Sequence, residues 1–356
     1  MAKGRVAVAM SGGVDSSVAA ALLKEEGYEV FGVTLRLWTL EDPEALPSHR
    51  RCCSVEAVDD ARRVCQVLGI PFYLLNFEKP FQTHVVDYFC REYEKGRTPN
   101  PCLACNQVIK FDLFLRHARA LGADYIATGH YARIERCSNY SRLLKAVDPL
   151  KDQSYVLFTL SQEELGHLLL PIGHYHKTQV RRLAASWGLP VAEKPDSQEI
   201  CFIPNGTLHQ FLRQRVASQP GDIVDGQGRV LGRYEGLAFY TVGQRRGLGL
   251  ALGERYYVVG LDPERRLIRV GRDEELLRRN LSATDVHFIS GQAPQGPLTV
   301  GAKIRYRSPE VPATLWPEAD DGARVEFQEP QRAVTPGQAV VFYQGGEVLG
   351  GGTIRD

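Results

Sequence analysis

The segment "RVAVAMSGGVDSSVAAALLKEEG", residues 5–27, constrains the fold more than any other. A short run rich in Val and Ala stops at Ser11-Gly12-Gly13. Strong helix formers follow and end at Gly27. β-Branched residues favour strand, Ala and Leu favour helix, and a glycine after the last helical residue supplies a C-cap. The same order then repeats. "EVFGVTLRL" (29–37) reads as strand, "SVEAVDDARRVCQVLG" (54–69) as helix and "PFYLLNF" (71–77) as strand. "DLFLRHARALG" (112–122) reads as helix and "ADYIATGHYA" (123–132) as a strand with its loop. Strand–helix alternation up to about residue 135 predicts an α/β domain: a parallel sheet with helices on both faces, binding its ligand at the carboxyl ends of the strands.

Beyond that point the rhythm changes. Residues 142–161 read as a hairpin-like stretch running into helix, and "KTQVRRLAASWGL" (177–189) as an amphipathic helix. From about residue 218 the chain is Gly-rich and strand-like. The last eighty or so residues alternate short β runs with turns, which predicts a small β-barrel or sandwich. A chain of 356 residues exceeds one typical core, so several domains are expected. Boundaries fall near 205 and 280, dividing it into 1–205, 206–280 and 281–356.

Lys and Arg total 43 against 42 Asp and Glu. A general polycationic coat is therefore not implied, and any nucleic-acid binding has to use local patches and shape. The opening "MAKGRVAVAM" is basic and then apolar, but its apolar run is too short for a signal peptide. No run approaches the roughly 18 apolar residues of a membrane span. The expectation is a cytoplasmic protein with no membrane partner. Eight cysteines in a chain this long fit no small disulfide scaffold. Cys52, Cys53, Cys65, Cys90 and Cys137 have no second motif around them and read as buried or incidental thiols.

The loop Ser11-Gly12-Gly13 with the start of the next helix is a phosphate cradle. Glycines let backbone N–H groups approach an anion, and a helix N-terminus adds unpaired donors and a positive dipole end. It lacks the Gly-Lys-Ser/Thr ending of a Walker A loop and the Gly-x-Gly-x-x-Gly of a dinucleotide fingerprint. The complete string "SGGVDSS" behind a strand resembles the pyrophosphate loop of the ATP pyrophosphatase family, which cleaves ATP between its α and β phosphates and adenylates a substrate. That resemblance implies ATP with Mg2+. It places the nucleotide on Ala9, Met10, Ser11, Gly12, Gly13, Val14, Asp15 and Ser16. Leu35, at the end of the second strand, and Gly129, in "ATGHYA", would lie against the adenosine.

"NPCLACNQVIKF" (100–111) sets Cys102 and Cys105 three apart beside Pro99 and Pro101, and Cys201 follows far away in "EKPDSQEICFIP". Structural zinc takes four ligands, usually as two pairs, and here there is one pair and a lone third. Simple burial fits poorly beside prolines and polar residues. Sulfur chemistry is left. "SGGVDSS", "GRTPNPCLACNQVIKF", "ATGHYA", "KDQSYVLF", "DSQEICFIP" and "YTVGQRRGL" occur in this order over nearly the full length. Together they are similar to the bacterial and mitochondrial tRNA-specific 2-thiouridylase family.

The resemblance implies a pyrophosphatase domain, a small central β-rich domain and a C-terminal β-barrel. It implies a monomer that converts the wobble uridine of tRNAs for Lys, Glu and Gln to 2-thiouridine, recognising the anticodon stem-loop. The C2 oxygen would be adenylated and then displaced by sulfur. In the persulfide scheme Cys201 carries the sulfur and Cys105 attacks it or helps to release it, ending in a Cys105–Cys201 disulfide that must be reduced. A cysteine desulfurase, a sulfur carrier or sulfide would supply the sulfur. Positions matching the family's tRNA contacts are Asn100, Pro101 and Cys102, then Lys151, Asp152 and Gln153, then Arg305 and Tyr306. Arg245 and Arg246 are candidate phosphate contacts. One departure stands out: many members carry Asp where this chain has Cys102. Three cysteines can hold a [4Fe–4S] cluster with one iron open, so Cys102, Cys105 and Cys201 are also candidate ligands. The rivals are an amide-forming synthetase with the same loop, and an RNA-binding protein that has lost catalysis.

Overall fold

The computed structural model describes residues 3–38, 55–196, 200–203, 207–250 and 253–356; Cys52 and Cys53 lie outside them. Strands β1 (Arg5–Ala9), β2 (Glu29–Arg36), β3 (Phe72–Asn76) and β4 (Tyr125–Ala127) are followed by the hairpin β5 (Ala132–Arg136) and β6 (Ser141–Lys145), and then by β7 (Leu168–Leu169). Five of them form one sheet in the order β3-β2-β1-β4-β7, with every pair parallel. β2 is buried from Val30 to Leu35, as expected for a strand covered on both faces. Helix α1 (Val14–Glu25) is buried nearly all round, so its Ala-rich sequence serves close packing. Helix α2 (Val55–Leu68) turns Ala57, Ala61, Val64 and Cys65 inward.

The strand order reverses between β1 and β4. The loops after these two strands therefore flank the crevice where such sheets bind ligands. The helix expected over 112–122 instead starts at Pro101 and runs to Ala120, with a π-helical stretch over Cys105–Leu113. A further helical stretch over 78–94 was not singled out from the sequence.

The central part is a four-stranded sheet of β8 (Gly221–Val224), β9 (Val230–Tyr234), β10 (Tyr257–Asp262) and β11 (Leu267–Gly271). The C-terminal part has six strands: β12 (Leu277–Phe288), β13 (Leu298–Lys303), β14 (Val311–Glu318), β15 (Gly322–Arg332), β16 (Ala339–Gln344) and β17 (Glu347–Ile354). They close into a barrel, because β12 pairs with both β15 and β17. That decides between barrel and sandwich. The hairpin β5–β6 leaves the α/β sheet and pairs with β17, Leu143 opposite Val348 and Leu144 opposite Glu347. The main apolar core is accordingly shared. Phe31, Phe89, Phe111 and Phe114 of the first part meet Phe239 of the second and Val341, Tyr343 and Val348 of the barrel.

Candidate active site

β1 and α1 shape the phosphate loop between them. Met10 N–H donates to Val33 O at 2.8 Å, and Met10 O accepts from Thr34 Oγ1 at 2.9 Å, fixing the loop's entry against β2. Gly12 has φ +68°, and a Cβ there would lie 2.2 Å from the Ala57 carbonyl oxygen, so only glycine fits. Gly13 enters α1 without a side-chain cap. Ser16 and Ser17 hydroxyls both donate to Gly13 O, at 3.2 and 2.8 Å, and Ser11 N–H donates to Ser16 Oγ at 3.2 Å. Ser16 and Ser17 are nearly buried and act first as the loop's internal frame, whereas Ser11 is exposed.

The loop after β4 lies directly on α1. A Cβ on Gly129 would sit 2.6 Å from Ser16 N. The space a side chain would fill belongs to the helix, so this glycine is needed for packing as well as for any approach of adenosine. His130 Nδ1 is 2.8 Å from Thr128 Oγ1. Burial, and then the Lys110 charge, hold its imidazole well below its usual range, so it is neutral at physiological pH. Leu35 is buried at the end of β2.

A charged cluster not anticipated from the sequence stands beside the loop. Lys177 opens the helix Lys177–Ser186 and is only 8% exposed. Its Nζ donates to Asp15 Oδ1 and Oδ2 at 2.8 and 2.7 Å and reaches Asp196 Oδ1 at 2.9 Å. Tyr131 OH donates to Asp15 Oδ1 at 2.7 Å, and burial together with that carboxylate pushes the phenol's pKa up. Asp196 also accepts from Lys151 at 2.7 Å and from Arg181 at 2.8 Å. Burial opposes its charge, but the hydrogen bonds from Lys151 and Lys177 outweigh it and hold the carboxyl at about 2. Lys194 Nζ donates to Gly12 O at 2.8 Å and pairs with Asp60 at 2.6 Å. Asp196 lies in the "EKPDSQEICFIP" string and Lys177 begins an apolar-periodic helix. Those were the available signals, but their partners are remote in sequence.

The residues matched to tRNA contacts divide by role. Asn100 caps the helix that starts at Pro101, its Oδ1 accepting from Cys102 N–H at 3.1 Å. The preceding loop is held by all three parts. Thr98 N–H donates to Pro336 O at 2.8 Å, Gln338 donates to Thr98 O at 2.6 Å, and the Thr98 and Thr241 hydroxyls meet at 3.2 Å. Cys102 is exposed. Cys105, one helical turn on, is buried in the main core, against the expectation drawn from its polar surroundings; the helix turns it inward. Cys201 is half-buried and packs against that same core.

Lys151 is committed to Asp196, whereas the Asp152 carboxylate accepts from Ala146 N–H at 2.9 Å and Ser154 Oγ at 2.8 Å. Gln153 Oε1 accepts from Tyr131 N–H at 2.9 Å, and its side chain also bonds Tyr306. Burial, then the Asp152 charge, pushes the Tyr306 phenol up, and the Cys102 charge adds to this. Gln153 and Tyr306 thus meet. Arg305 points elsewhere: its Nη2 donates to Thr335 Oγ1 at 2.6 Å, Ala333 O at 3.0 Å and Val242 O at 3.4 Å. Arg245 and Arg246 are exposed.

Among the described residues no three His, Cys, Asp or Glu side chains are gathered so as to hold a metal ion.

Residues 4–205 match the family described as the tRNA methyl transferase HUP domain, 209–272 its PRC-barrel domain, and 278–354 the aminomethyltransferase β-barrel domain. A tRNA-specific 2-thiouridylase MnmA from Moorella thermoacetica is 56% identical over 98% of this chain and 98% of its own length. One from Symbiobacterium thermophilum is 52% identical over 99% of this chain and 92% of its own. Among solved structures, the U34-tRNA thiolase NcsA from Methanococcus maripaludis with its [4Fe–4S] cluster is 16% identical, with a TM-score of 0.36, over 60% of this chain and 64% of that one. With identity above one half from end to end and a family match over the whole α/β part, the chain belongs to the tRNA-specific 2-thiouridylase family.

Proposed function

We propose that the protein converts the wobble uridine of tRNAs for Lys, Glu and Gln to 2-thiouridine, consuming ATP to AMP and pyrophosphate. The observation that carries this reading is the joining of two sites. The segment that leads to Cys201 is bonded to the phosphate loop through Lys194 and Gly12, and Cys201 and Cys105 pack on one core. An amide-forming synthetase needs no such thiols, and an RNA-binding protein needs no cationic cluster at a phosphate loop.

The uridine C2 oxygen is a poor leaving group. Its attack on the α-phosphorus of ATP releases pyrophosphate and leaves AMP on that oxygen. The N-terminal N–H groups of α1 suit the triphosphate, which brings Mg2+ as part of the substrate. The terminal sulfur of a Cys201 persulfide then attacks C2, and AMP departs. The Cys105 thiolate attacks Cys201 Sγ, the S–S bond breaks, and the sulfur stays on C2. A Cys105–Cys201 disulfide remains, and an external dithiol reduces it. Cys102, Cys105 and Cys201 are the residues that would hold a [4Fe–4S] cluster, which would supply an open iron for sulfide; no step is routed through it.

Asn100, Pro101, Cys102, Gln153 and Tyr306 receive the everted base, as single-stranded RNA bases are commonly read. Lys151, Asp152 and Arg305 place these groups. We assign the α/β domain to 1–205, the central domain to 206–280 and the barrel to 281–356, and place the reaction on a monomer in the cytoplasm with a separate sulfur donor. Incubating the protein with unmodified tRNA, MgATP and a persulfide donor tests the reading. Nucleoside mass spectrometry should show 2-thiouridine and stoichiometric AMP. Pyrophosphate release without a thiolated nucleoside would overturn it.

A further inference from the structure

Resting on the function proposed above, we propose that Lys194 is the positioning residue that holds the Gly12–Gly13 peptide of the phosphate loop in its anion-binding orientation. Its Nζ donates to Gly12 O at 2.8 Å and to Asp60 Oδ2 at 2.6 Å. Asp60 lies one turn along α2 from Ala57, whose carbonyl oxygen crowds Gly12, so the loop, α2 and Lys194 meet at one place. Lys194 is itself tethered. Its N–H donates to Val191 O at 3.1 Å, its carbonyl oxygen accepts from Arg181 Nη1 at 3.0 Å, and the same guanidinium holds Ala192 O at 2.8 Å. A string that the sequence singles out for its cysteine thus also reaches the nucleotide loop, 182 residues earlier in the chain.

The geometry of the peptide bond fixes what this contact does. In a planar trans peptide the C=O and the next residue's N–H point in opposite directions. A cation on Gly12 O therefore turns the Gly13 N–H to the other side, and there it has no acceptor among the described residues. The N–H groups of Val14 and Asp15, in the first turn of α1, have no intrahelical acceptor either. Three consecutive donors are left for an anion, and Lys194 sets the direction of the first. The ammonium also polarises the peptide, because a hydrogen bond accepted by a C=O strengthens the linked N–H as a donor. Net charge is not the cause, since Asp60 balances Lys194. Stability alone does not account for the arrangement. The two side chains of this pair are 23% and 25% exposed, where an ion pair contributes little, and lysine loses much rotamer freedom on being fixed. Water could satisfy a bare carbonyl here, but it could not fix the direction of the peptide.

The test is calorimetric titration of the full chain with two ligands, α,β-methylene-ATP with Mg2+ and adenosine. Lys194→Met should weaken the triphosphate analogue at least tenfold and leave adenosine within twofold of wild type. Lys194→Arg, which keeps a charged donor, should return the analogue to within threefold. A general loss of stability would weaken both ligands alike, so the split between them is the readout. Unchanged analogue binding in Lys194→Met, an equal loss of both ligands, or no recovery with arginine overturns the proposal. Asp60→Asn releases the ammonium from its carboxylate. Tightening of the analogue by fivefold or more in that variant would mean that Lys194 meets the phosphates directly, and would also overturn it. If Lys194→Met does not fold, Lys194→Gln keeps a neutral donor and must show the same selective loss, at least threefold. A wild type that prefers the analogue to adenosine yet forms no 2-thiouridine sinks only the proposed function. A wild type with no such preference sinks both.

Discussion

At the residue scale the site depends on side chains with divided tasks. Cys201→Ala should abolish 2-thiouridine formation while tRNA-dependent pyrophosphate release persists, a split readable in one reaction by mass spectrometry and a phosphate assay. Cys105→Ala should allow at most one turnover-limited sulfur transfer, whereas Cys102→Ala should keep more activity than either. Parity of all three would refute the persulfide assignment. Asp196 gives a pH prediction. Its folded pKa, about 2, lies below the usual 3.8. The unfolded chain therefore binds the proton more readily, and the stabilisation is complete above about pH 4 and lost as pH falls toward 2. The stability gap between wild type and Asp196→Asn in denaturant melts should close over that window. A gap that stays constant would mean the carboxylate's charge is not what stabilises the fold.

At the scale of elements, the phosphate loop leaves no room for a methyl group. Gly12→Ala would force a positive φ on alanine, at a cost of about 1–3 kcal/mol, and drive its Cβ into Ala57 of α2. ATP affinity should drop more than tenfold in a protein with a lower melting temperature, by calorimetry. Asn100→Ala removes the cap at Pro101 and should cost about 1 kcal/mol. The sheet, the loop and α1 were legible in the sequence because each is written in contiguous residues: apolar runs, paired glycines, an Ala-rich stretch. The early start of the helix at Pro101 was missed because its first two turns, which hold both cysteines, read as a polar loop. The cluster around Lys177 was missed for another reason. Asp15, Lys151 and Asp196 come together only through the fold, and no local pattern pairs them.

At the scale of the whole molecule, the three parts meet on the loop before Cys102. Arg305 bridges Val242 of the central part to Ala333 and Thr335 of the barrel. If its task is to hold that junction, Arg305→Ala should weaken tRNA binding while leaving the salt dependence of affinity unchanged; a residue paired with a phosphate would lower the slope by about one. Fluorescence titrations at several salt concentrations separate the two. The hairpin β5–β6 could be read as a hairpin, but its partner could not, because β17 lies some two hundred residues away. That pairing has a consequence for how the protein comes into being. The strand Glu347–Ile354, made some two hundred residues after that hairpin, closes the barrel against β12 and at the same time covers the hairpin of the nucleotide-binding half. At synthesis rates of about 5–20 residues per second, the first domain waits many seconds with Leu143 and its neighbours uncovered. A nascent chain that still lacks this strand thus leaves the hairpin of its first domain unpaired along that edge.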